Sequence, residues 1–98
     1  MIFDWDEDKE RENLKKHDGV SFAEAGEAFF DENAFEFYDA EHSTAEEKRF
    51  VCIGNSSKRL LRVSYTIRFD ENANEITRII SARKGKRAEE DLYYGQNY

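Results

Sequence analysis

Five cationic side chains lie within residues 78 to 87 of a chain whose formal net charge is -7. The segment reads RIISARKGKR. A guanidinium group binds phosphate through two parallel hydrogen bonds, so arginines on neighbouring strands can form a cationic concavity for phosphate. The candidate cations for such a site are Arg49, Arg68, Arg78, Arg83, Lys84, Lys86 and Arg87. A solvated sheet face with ordinary surface arginines explains any one of them equally well.

The histidines and the cysteine do not form a metal-binding pattern. His17 lies at a predicted helix end. Its role there is either a favourable interaction with the helix dipole or proton transfer. His42 falls in an acidic loop, and the single Cys52 lies in an apolar run far from both histidines. We therefore expect no metal site and no cofactor. The sequence also lacks a glycine-rich phosphate loop and a serine nucleophile elbow.

The charges are distributed unevenly along the chain. Residues 1 to 47 hold 16 acidic and 4 basic side chains, whereas residues 48 to 98 hold 6 acidic and 11 basic ones. The two halves therefore carry -12 and +5. This asymmetry suggests one surface for a polyanion and another for a basic partner, although an acidic solubilising surface is the simpler alternative.

Length and composition favour one compact domain over residues 1 to 98. The aromatic content of 14% is too high for a disordered chain and predicts a small aromatic core. The first ten residues have neither a basic start nor an apolar segment, and no stretch of about 18 apolar residues occurs. We therefore expect a cytoplasmic protein without a membrane segment.

Two helices are predicted in the first third of the chain. Asp4 or Asp6 can cap a helix that runs to about His17, after which Gly19 permits a break. Ser21 and Glu24 have the spacing of a capping box for the second helix.

Four strands follow, and a terminal helix ends the chain. Alternation predicts strands at about 34–38, 48–54, 59–69 and 75–83, and the segment KRAEEDLYY favours a helix. The turn-rich connections between the last three strands imply antiparallel hairpins. The predicted fold is therefore α+β, with two N-terminal helices, a four-stranded antiparallel sheet and a C-terminal helix.

Alternation does not decide which face of the last strand is buried. In the strand at 59–69, Arg62, Ser64, Thr66 and Arg68 separate cleanly from the apolar residues. In the strand at 75–83, Arg78 and Arg83 fall on opposite faces. A β-bulge, or a strand that ends near Ala82, would let both arginines reach a common edge.

Several spaced motifs resemble the BrnT family of bacterial type II toxins. They are Trp5-Asp6 with Lys9, Asn13, Lys16 and His17; Val20, Phe22 and Glu24; Arg49; and the run Arg78, Ile80-Ser81-Ala82-Arg83, Arg87, Glu89 and Tyr93. The resemblance covers nearly the whole chain. It implies a RelE-like ribonuclease that arrests translation, neutralised by a BrnA-type antitoxin whose ribbon-helix-helix domain binds DNA.

RNA cleavage without a metal needs cations around the phosphate, because charge develops on the phosphoryl oxygens as the ribose 2'-hydroxyl attacks. Under this hypothesis Arg68, Arg78 and Arg83 clamp the phosphate, Arg49 positions it and His17 transfers a proton. Lys84, Lys86 and Arg87 would bind the RNA backbone. Tyr65 is a candidate for stacking on a base, although alternation places it among the apolar residues.

Two alternatives remain open from the sequence. A catalytically inactive binding module would hold an antitoxin or a nucleic acid without cleaving it. A purely structural interaction protein would use the basic segment only for stability. The lack of an obvious acid and base pair favours the first of these alternatives.

Overall fold

The computed structural model describes residues 1–95, and within this range the chain forms one sheet with helices on both faces. The strands are β1 (Ile2–Trp5), β2 (Phe35–Tyr38), β3 (Arg49–Asn55), β4 (Leu60–Phe69) and β5 (Glu75–Lys84). The helices are α1 (Glu7–Lys16), α2 (Phe22–Glu27) and α3 (Arg87–Gly95), with a 3-10 helix at Ala28–Phe30. None of the helices in this range is long and apolar enough to span a bilayer.

The strand order over residues 1–95 is β1-β5-β4-β3-β2. Strands β2 to β5 pair antiparallel as predicted, whereas β1 pairs parallel with β5 and places Ile2 opposite Ile76. The prediction of two N-terminal helices and a four-stranded antiparallel sheet is therefore wrong. A strand precedes α1 and adds a fifth, parallel member to the sheet. Four residues are too few for a periodic signal, and the partner strand lies near the other end of the chain.

The predicted caps of the two helices are confirmed in part. The Asp6 side chain accepts hydrogen bonds from the backbone N–H groups of Asp8 and Lys9 at 2.8 and 3.1 Å, which caps α1. Ser21 Oγ accepts the N–H of Glu24 at 3.0 Å. The Glu24 carboxylate does not complete the capping box, because it binds residues of the β3–β4 hairpin instead.

Apolar side chains pack on both faces of the sheet. On the face under α2, hereafter the helix-side face, Phe22 and Ala25 pack with Cys52, Val63 and other residues of a buried cluster. Gly54 brings β3 against the 3-10 helix, since a Cβ atom there would lie 2.5 Å from the carbonyl oxygen of Ala28. On the opposite face, a smaller cluster joins α3 to the end of the β3–β4 hairpin. The rest of this opposite face carries arginines.

A β-bulge at Ile80 decides the direction of the basic side chains in β5. Tyr65 pairs with Ile79 and Ser64 pairs with Ser81, so the register skips Ile80. Arg78 consequently lies opposite Thr66, and Arg83 lies opposite Arg62. Thr66 and Arg62 are four residues apart on a strand with a period of two, so both arginines project from the opposite face. Of the two possibilities that the sequence left open, the bulge is confirmed, and the strand does not end near Ala82 but continues to Lys84.

The Asn13 side chain forms hydrogen bonds with the edge of β5 beyond the point where its pairing with β1 ends. Its Nδ2 donates to the carbonyl oxygens of Val20 and Ala82 at 2.9 and 2.8 Å, and its Oδ1 accepts the N–H of Ala82 at 3.0 Å. The side chain is 5% exposed. Because β1 pairs only as far as Ile79, this amide satisfies backbone groups that would otherwise be unpaired at the edge.

A buried ion pair joins α2 to the β3–β4 hairpin. The Glu24 carboxylate accepts bonds from Nε and Nη2 of Arg59 at 3.0 and 2.8 Å, and from Ser56 Oγ at 2.8 Å. The hydrogen bond from Arg59 outweighs burial and lowers the pKa of Glu24. A carboxyl group with a lowered pKa stabilises the fold above its unfolded pKa, and this contribution is lost as the pH falls through the folded value.

Replacing Glu24 with glutamine is expected to reduce the free energy of unfolding at pH 7 by about 2 kcal/mol, because the bonds from Arg59 lose their charged acceptor. The difference from the wild-type chain should be smaller at pH 3 than at pH 7, because protonation of this carboxyl group in the unfolded chain, whose ordinary pKa is about 4.3, removes part of the stabilisation. Urea unfolding at both pH values measures this difference in the free energy of unfolding. Glu32→Gln, at an exposed loop position, is the matched control. Equal losses in the two variants would contradict the role given to the ion pair.

Candidate functional site

Four paired residues form a row across the open part of the opposite face. Arg78 on β5 pairs with Asp4 on β1 at one side and with Thr66 on β4 at the other. Thr66 pairs in turn with Arg49 on β3. Adjacent strands are about 4.8 Å apart, so the two arginines flank a strip about 10 Å wide. Thr66 lies between the two arginines, and its Oγ1 donates a hydrogen bond to the carbonyl oxygen of Lys48 at 2.6 Å. Arg68 projects from the same face, two residues beyond Thr66.

Three adjoining hollows in the described part of the chain extend from this row along the edge of β5. The first, of about 230 Å³, lies between α1 and β5 and includes Arg49 and Ser81. The second, of about 90 Å³, includes Arg68 and Arg78. The third, of about 480 Å³, includes Arg83.

Shared side chains connect these hollows into one surface. Lys9 and Ile80 line both the first and the second, while Lys16 and His17 line both the first and the third. We call this surface the basic groove, and its cations and histidine are Lys9, Lys16, His17, Arg49, Arg68, Arg78, Arg83, Lys84 and Lys86. The bulge and the α1 edge together bring these residues to one side of the molecule.

Carboxylates of the same chain hold the four arginines of the groove. Arg78 Nη1 contacts Asp4 at 3.0 Å, and Arg83 Nη1 contacts Glu89 at 2.7 Å. Glu47 joins the other two, with one oxygen 2.9 Å from Arg49 Nε and the other 3.5 Å from Arg68 Nη2. Arg49, Arg78 and Arg83 each donate a hydrogen bond to their carboxylate through one nitrogen of the guanidinium group. The remaining N–H donors can bind a phosphate while the carboxylate fixes the direction of the side chain.

The cations contributed by α1 are not neutralised in this way. Within residues 1–95, Lys9 and Lys16 lie beyond ion-pair distance of any carboxylate. His17 is the C-cap of α1, as expected, and its backbone N–H donates to the Asn13 carbonyl oxygen at 2.9 Å. Its half-buried ring lines the groove where the first and third hollows meet. An arrangement of fixed guanidinium groups, lysines and one imidazole is suited to binding and cleaving a phosphodiester.

Comparison with known protein families gives a match over most of the chain. Residues 5–89 match the family described as the ribonuclease toxin BrnT of type II toxin-antitoxin systems. The chain belongs to the BrnT family. No curated protein matches the chain significantly. The resemblance inferred from the sequence motifs is therefore confirmed, and the family implies an RNA substrate and an antitoxin partner.

The BrnT match ends at Glu89, which links the groove to α3. Glu89 Oε1 accepts bonds from Arg83 Nη1 at 2.7 Å and from the N–H of Lys86 at 2.8 Å. Burial raises the pKa of Glu89, but these two bonds outweigh it and the net pKa is lowered. Arg83 therefore helps to fix the start of α3 as well as lining the groove.

The structure brings most, but not all, of the other predicted residues of this BrnT chain to the groove. Lys84 and Lys86 line the third hollow. Arg87 lies on α3, where it is 87% exposed and pairs with Asp91. Tyr65 is 5% exposed in the helix-side core, where it donates to Glu36 and stacks on Phe50. This burial keeps the Tyr65 ring away from the groove and gives no support to the predicted stacking on a base.

Sequence reasoning missed three contributors to the groove as site residues. Lys9 and Lys16 face it because they lie on the side of α1 next to β5, and their spacing of seven residues was the available signal. Glu47 lies in the polar loop between β2 and β3 and resembled the solvated carboxylates around it. Its two-residue spacing from Arg49 gives no sign that it also contacts Arg68 on the next strand.

Proposed function

We propose that this BrnT chain cleaves RNA in the basic groove without a metal ion. The ribose 2'-hydroxyl attacks the adjacent phosphorus, and fixed cations stabilise the charge that develops on the phosphoryl oxygens. The observation that carries the proposal is the row of Arg49, Thr66 and Arg78 on an open sheet face of a BrnT family member. A preorganised pair of guanidinium groups supplies positive charge that a metal ion would otherwise provide.

The four arginines have distinct parts in this proposal. Arg78 and Arg68, in the second hollow, clamp the reacting phosphate and stabilise its transition state. Arg49 positions the phosphate from the other side of the strip. Arg83 binds an adjacent phosphate in the third hollow, where Lys84 and Lys86 add positive charge along the RNA backbone.

His17 is the proposed general acid. Its ring lies at the junction of two hollows, and an imidazole can give up a proton near neutral pH. Protonation of the departing 5'-oxygen removes the need to expel an alkoxide.

We also propose the biological setting that the resemblance implies. RNA cleavage by this chain would inhibit translation in the cytoplasm, and a BrnA-type antitoxin would neutralise it. The antitoxin would carry a ribbon-helix-helix domain, so that the complex contacts DNA only through the antitoxin. A short reading frame with this pattern beside the toxin gene supports the pairing, and its absence argues against it.

Incubation of purified protein with RNA in excess EDTA tests the enzymatic proposal. We expect cleavage in the chelator, with products that end in a 2',3'-cyclic phosphate and a 5'-hydroxyl. An RNA with 2'-O-methyl groups, which lacks the nucleophile, should be bound but not cut. Cleavage that depends on added metal would contradict the mechanism. Binding of RNA without any cleavage would favour the inactive binding module.

A further inference from the structure

We propose that Glu47 is the general base that takes the proton from the ribose 2'-hydroxyl, an assignment that rests on the proposed ribonuclease function. Glu47 lies between two guanidinium groups, 2.9 Å from Arg49 Nε and 3.5 Å from Arg68 Nη2. Its side chain is 31% exposed, so a ribose can reach it. A carboxylate bound to the arginines that bind the phosphate lies beside the hydroxyl that must attack that phosphate.

The second hollow places Glu47 among the reacting groups. This hollow is lined by Glu47 together with Lys9, Arg68 and Arg78. A phosphate bound by Arg68 and Arg78 therefore brings its ribose next to the carboxylate. His17 lines the first hollow, which shares Lys9 and Ile80 with the second. The proposed base and acid thus line two adjoining hollows, and an in-line displacement needs them at opposite sides of the phosphorus.

Other carboxylates line the groove, but each has a structural contact or lies in a different hollow from Arg68 and Arg78. Glu12 lines the first hollow, and Asp18 and Glu90 line the third. Asp6 caps α1 through two backbone bonds, and Glu89 holds the first turn of α3. Asp4 lies at the far side of Arg78 on the edge strand β1. Among the described residues, Asp6 and Glu47 are the two carboxylates that line the second hollow, and Glu47 is the one whose oxygens contact guanidinium groups of the groove.

The backbone around Glu47 is fixed by short-range hydrogen bonds. Thr44 Oγ1 accepts the N–H of Glu47 at 3.0 Å, and the N–H of Thr44 donates to the Glu47 carbonyl oxygen at 2.8 Å. Ser43 Oγ accepts the N–H of Arg49 at 2.8 Å and donates to the carbonyl oxygen of Asp39 at 2.6 Å. The loop therefore presents the carboxylate in a defined position, which a general base requires.

The charges around Glu47 keep its carboxyl group ionised. The hydrogen bond from Arg49 is the largest influence and, with the nearby charge of Arg68, lowers the pKa of Glu47 in spite of partial burial. The charged groups that face it are Arg49 on β3, Arg68 on β4, Arg78 on β5, Lys9 on α1 and Asp6 at the α1 cap. Glu47 is therefore unprotonated at neutral pH, which is the state that a general base must have before it takes a proton.

The proposed step is balanced in protons and bonds. Glu47 takes the proton of the 2'-hydroxyl while the 2'-oxygen forms a bond to phosphorus. The bond from phosphorus to the 5'-oxygen breaks, and its electron pair leaves with that oxygen, which takes a proton from His17. The products are a 2',3'-cyclic phosphate and a free 5'-hydroxyl, and Glu47 then returns its proton to water.

Comparison of Glu47→Gln with Glu46→Gln tests the assignment, because Glu46 is an exposed neighbour in the same loop. We expect kcat/KM for RNA to fall by about 10²-fold in Glu47→Gln only. Binding of a 2'-O-methyl RNA should be unchanged or tighter, since a negative charge is removed. The deficit of Glu47→Gln relative to wild type should also shrink as the pH rises, because hydroxide replaces the missing base.

Each other outcome overturns the assignment. Faster cleavage by Glu47→Gln would make Glu47 an inhibitory contact that competes with phosphate. A loss of kcat/KM in Glu47→Gln that does not change with pH would make Glu47 a positioning residue for the arginines. The same conclusion would follow if this loss were matched by weaker binding of the 2'-O-methyl RNA. Normal cleavage by Glu47→Gln would reject the base but leave the ribonuclease function intact. Absence of cleavage by the wild-type chain would instead reject the proposed function itself.

Discussion

Replacement of Arg78 with alanine is expected to lower RNA cleavage by about 10³-fold, because a preorganised donor to the phosphoryl oxygens is lost. Arg78 lies in the row across the sheet and lines the same hollow as Arg68. Its ion pair with Asp4 is partly exposed, since 26% of the Arg78 side chain and 45% of the Asp4 side chain are accessible. Loss of such a pair changes the free energy of unfolding by less than about 1 kcal/mol. A cleavage assay together with urea unfolding separates the two effects.

The matched control for Arg78→Ala is Arg11→Ala. Like Arg78, Arg11 forms an ion pair with an aspartate, but it lies on the solvent-exposed side of α1 and its side chain is 67% exposed. We expect this variant to cleave RNA at nearly the wild-type rate. Arg78→Lys should recover part of the activity, because lysine restores the charge without the forked geometry. Equal activity of Arg78→Ala and Arg11→Ala would contradict the role of the row.

Replacement of Asn13 with aspartate is expected to reduce the free energy of unfolding by about 3 kcal/mol or more. The change is isosteric, but it replaces an amide that donates to Val20 and Ala82 with an oxygen that faces the same two carbonyl groups. The site is 5% exposed, so the repulsion is weakly screened. The edge of β5 and the position of α1 against it should both loosen.

Urea unfolding at pH 7 measures the effect of Asn13→Asp. Asn72→Asp makes the same chemical change at an exposed turn between β4 and β5 and should cost less than about 0.5 kcal/mol. Activity should also fall in Asn13→Asp, because α1 supplies Lys9, Lys16 and His17 to the groove. A loss of stability no larger than that of the control would contradict the role of Asn13 in holding this edge.

Local patterns predicted the elements of the fold better than their assembly. The strand at 59–69 was recovered as Leu60–Phe69, because alternation over ten residues is a strong signal. The caps at Asp6 and Ser21 followed from local hydrogen bonding. The parallel strand β1 was missed, because its pairing depends on a strand distant in sequence. Propensity contains no information about such a partner.

Sequence patterns identified the arginines of the site but not its geometry. Arg78 and Arg83 share a face only because the register skips Ile80, and the position of a bulge depends on packing rather than on composition. Asn13 was noted as part of a family motif, yet its role at the edge of β5 requires contacts across the molecule. Tyr65 shows the opposite case, since alternation correctly indicated burial.

The charge asymmetry of the chain has in part an internal explanation. Asp4, Glu24 and Glu47 belong to the acidic first half, and they pair with arginines of the basic second half. The fold therefore uses some of the opposite charges to connect its own segments. Lys9 and Lys16 keep the groove positive, although they lie in the acidic half.

The most direct test of the central claim is to map where RNA contacts the protein. Titration of 15N-labelled protein with a 2'-O-methyl RNA, followed by backbone amide chemical shifts, locates the bound strand without cleavage. We predict shifts at Lys9, His17 and Ser81, and along β5 to Lys84. Shifts confined to the helix-side face, around Ala23 and Phe30, would show that the arginine row is not where this toxin holds RNA.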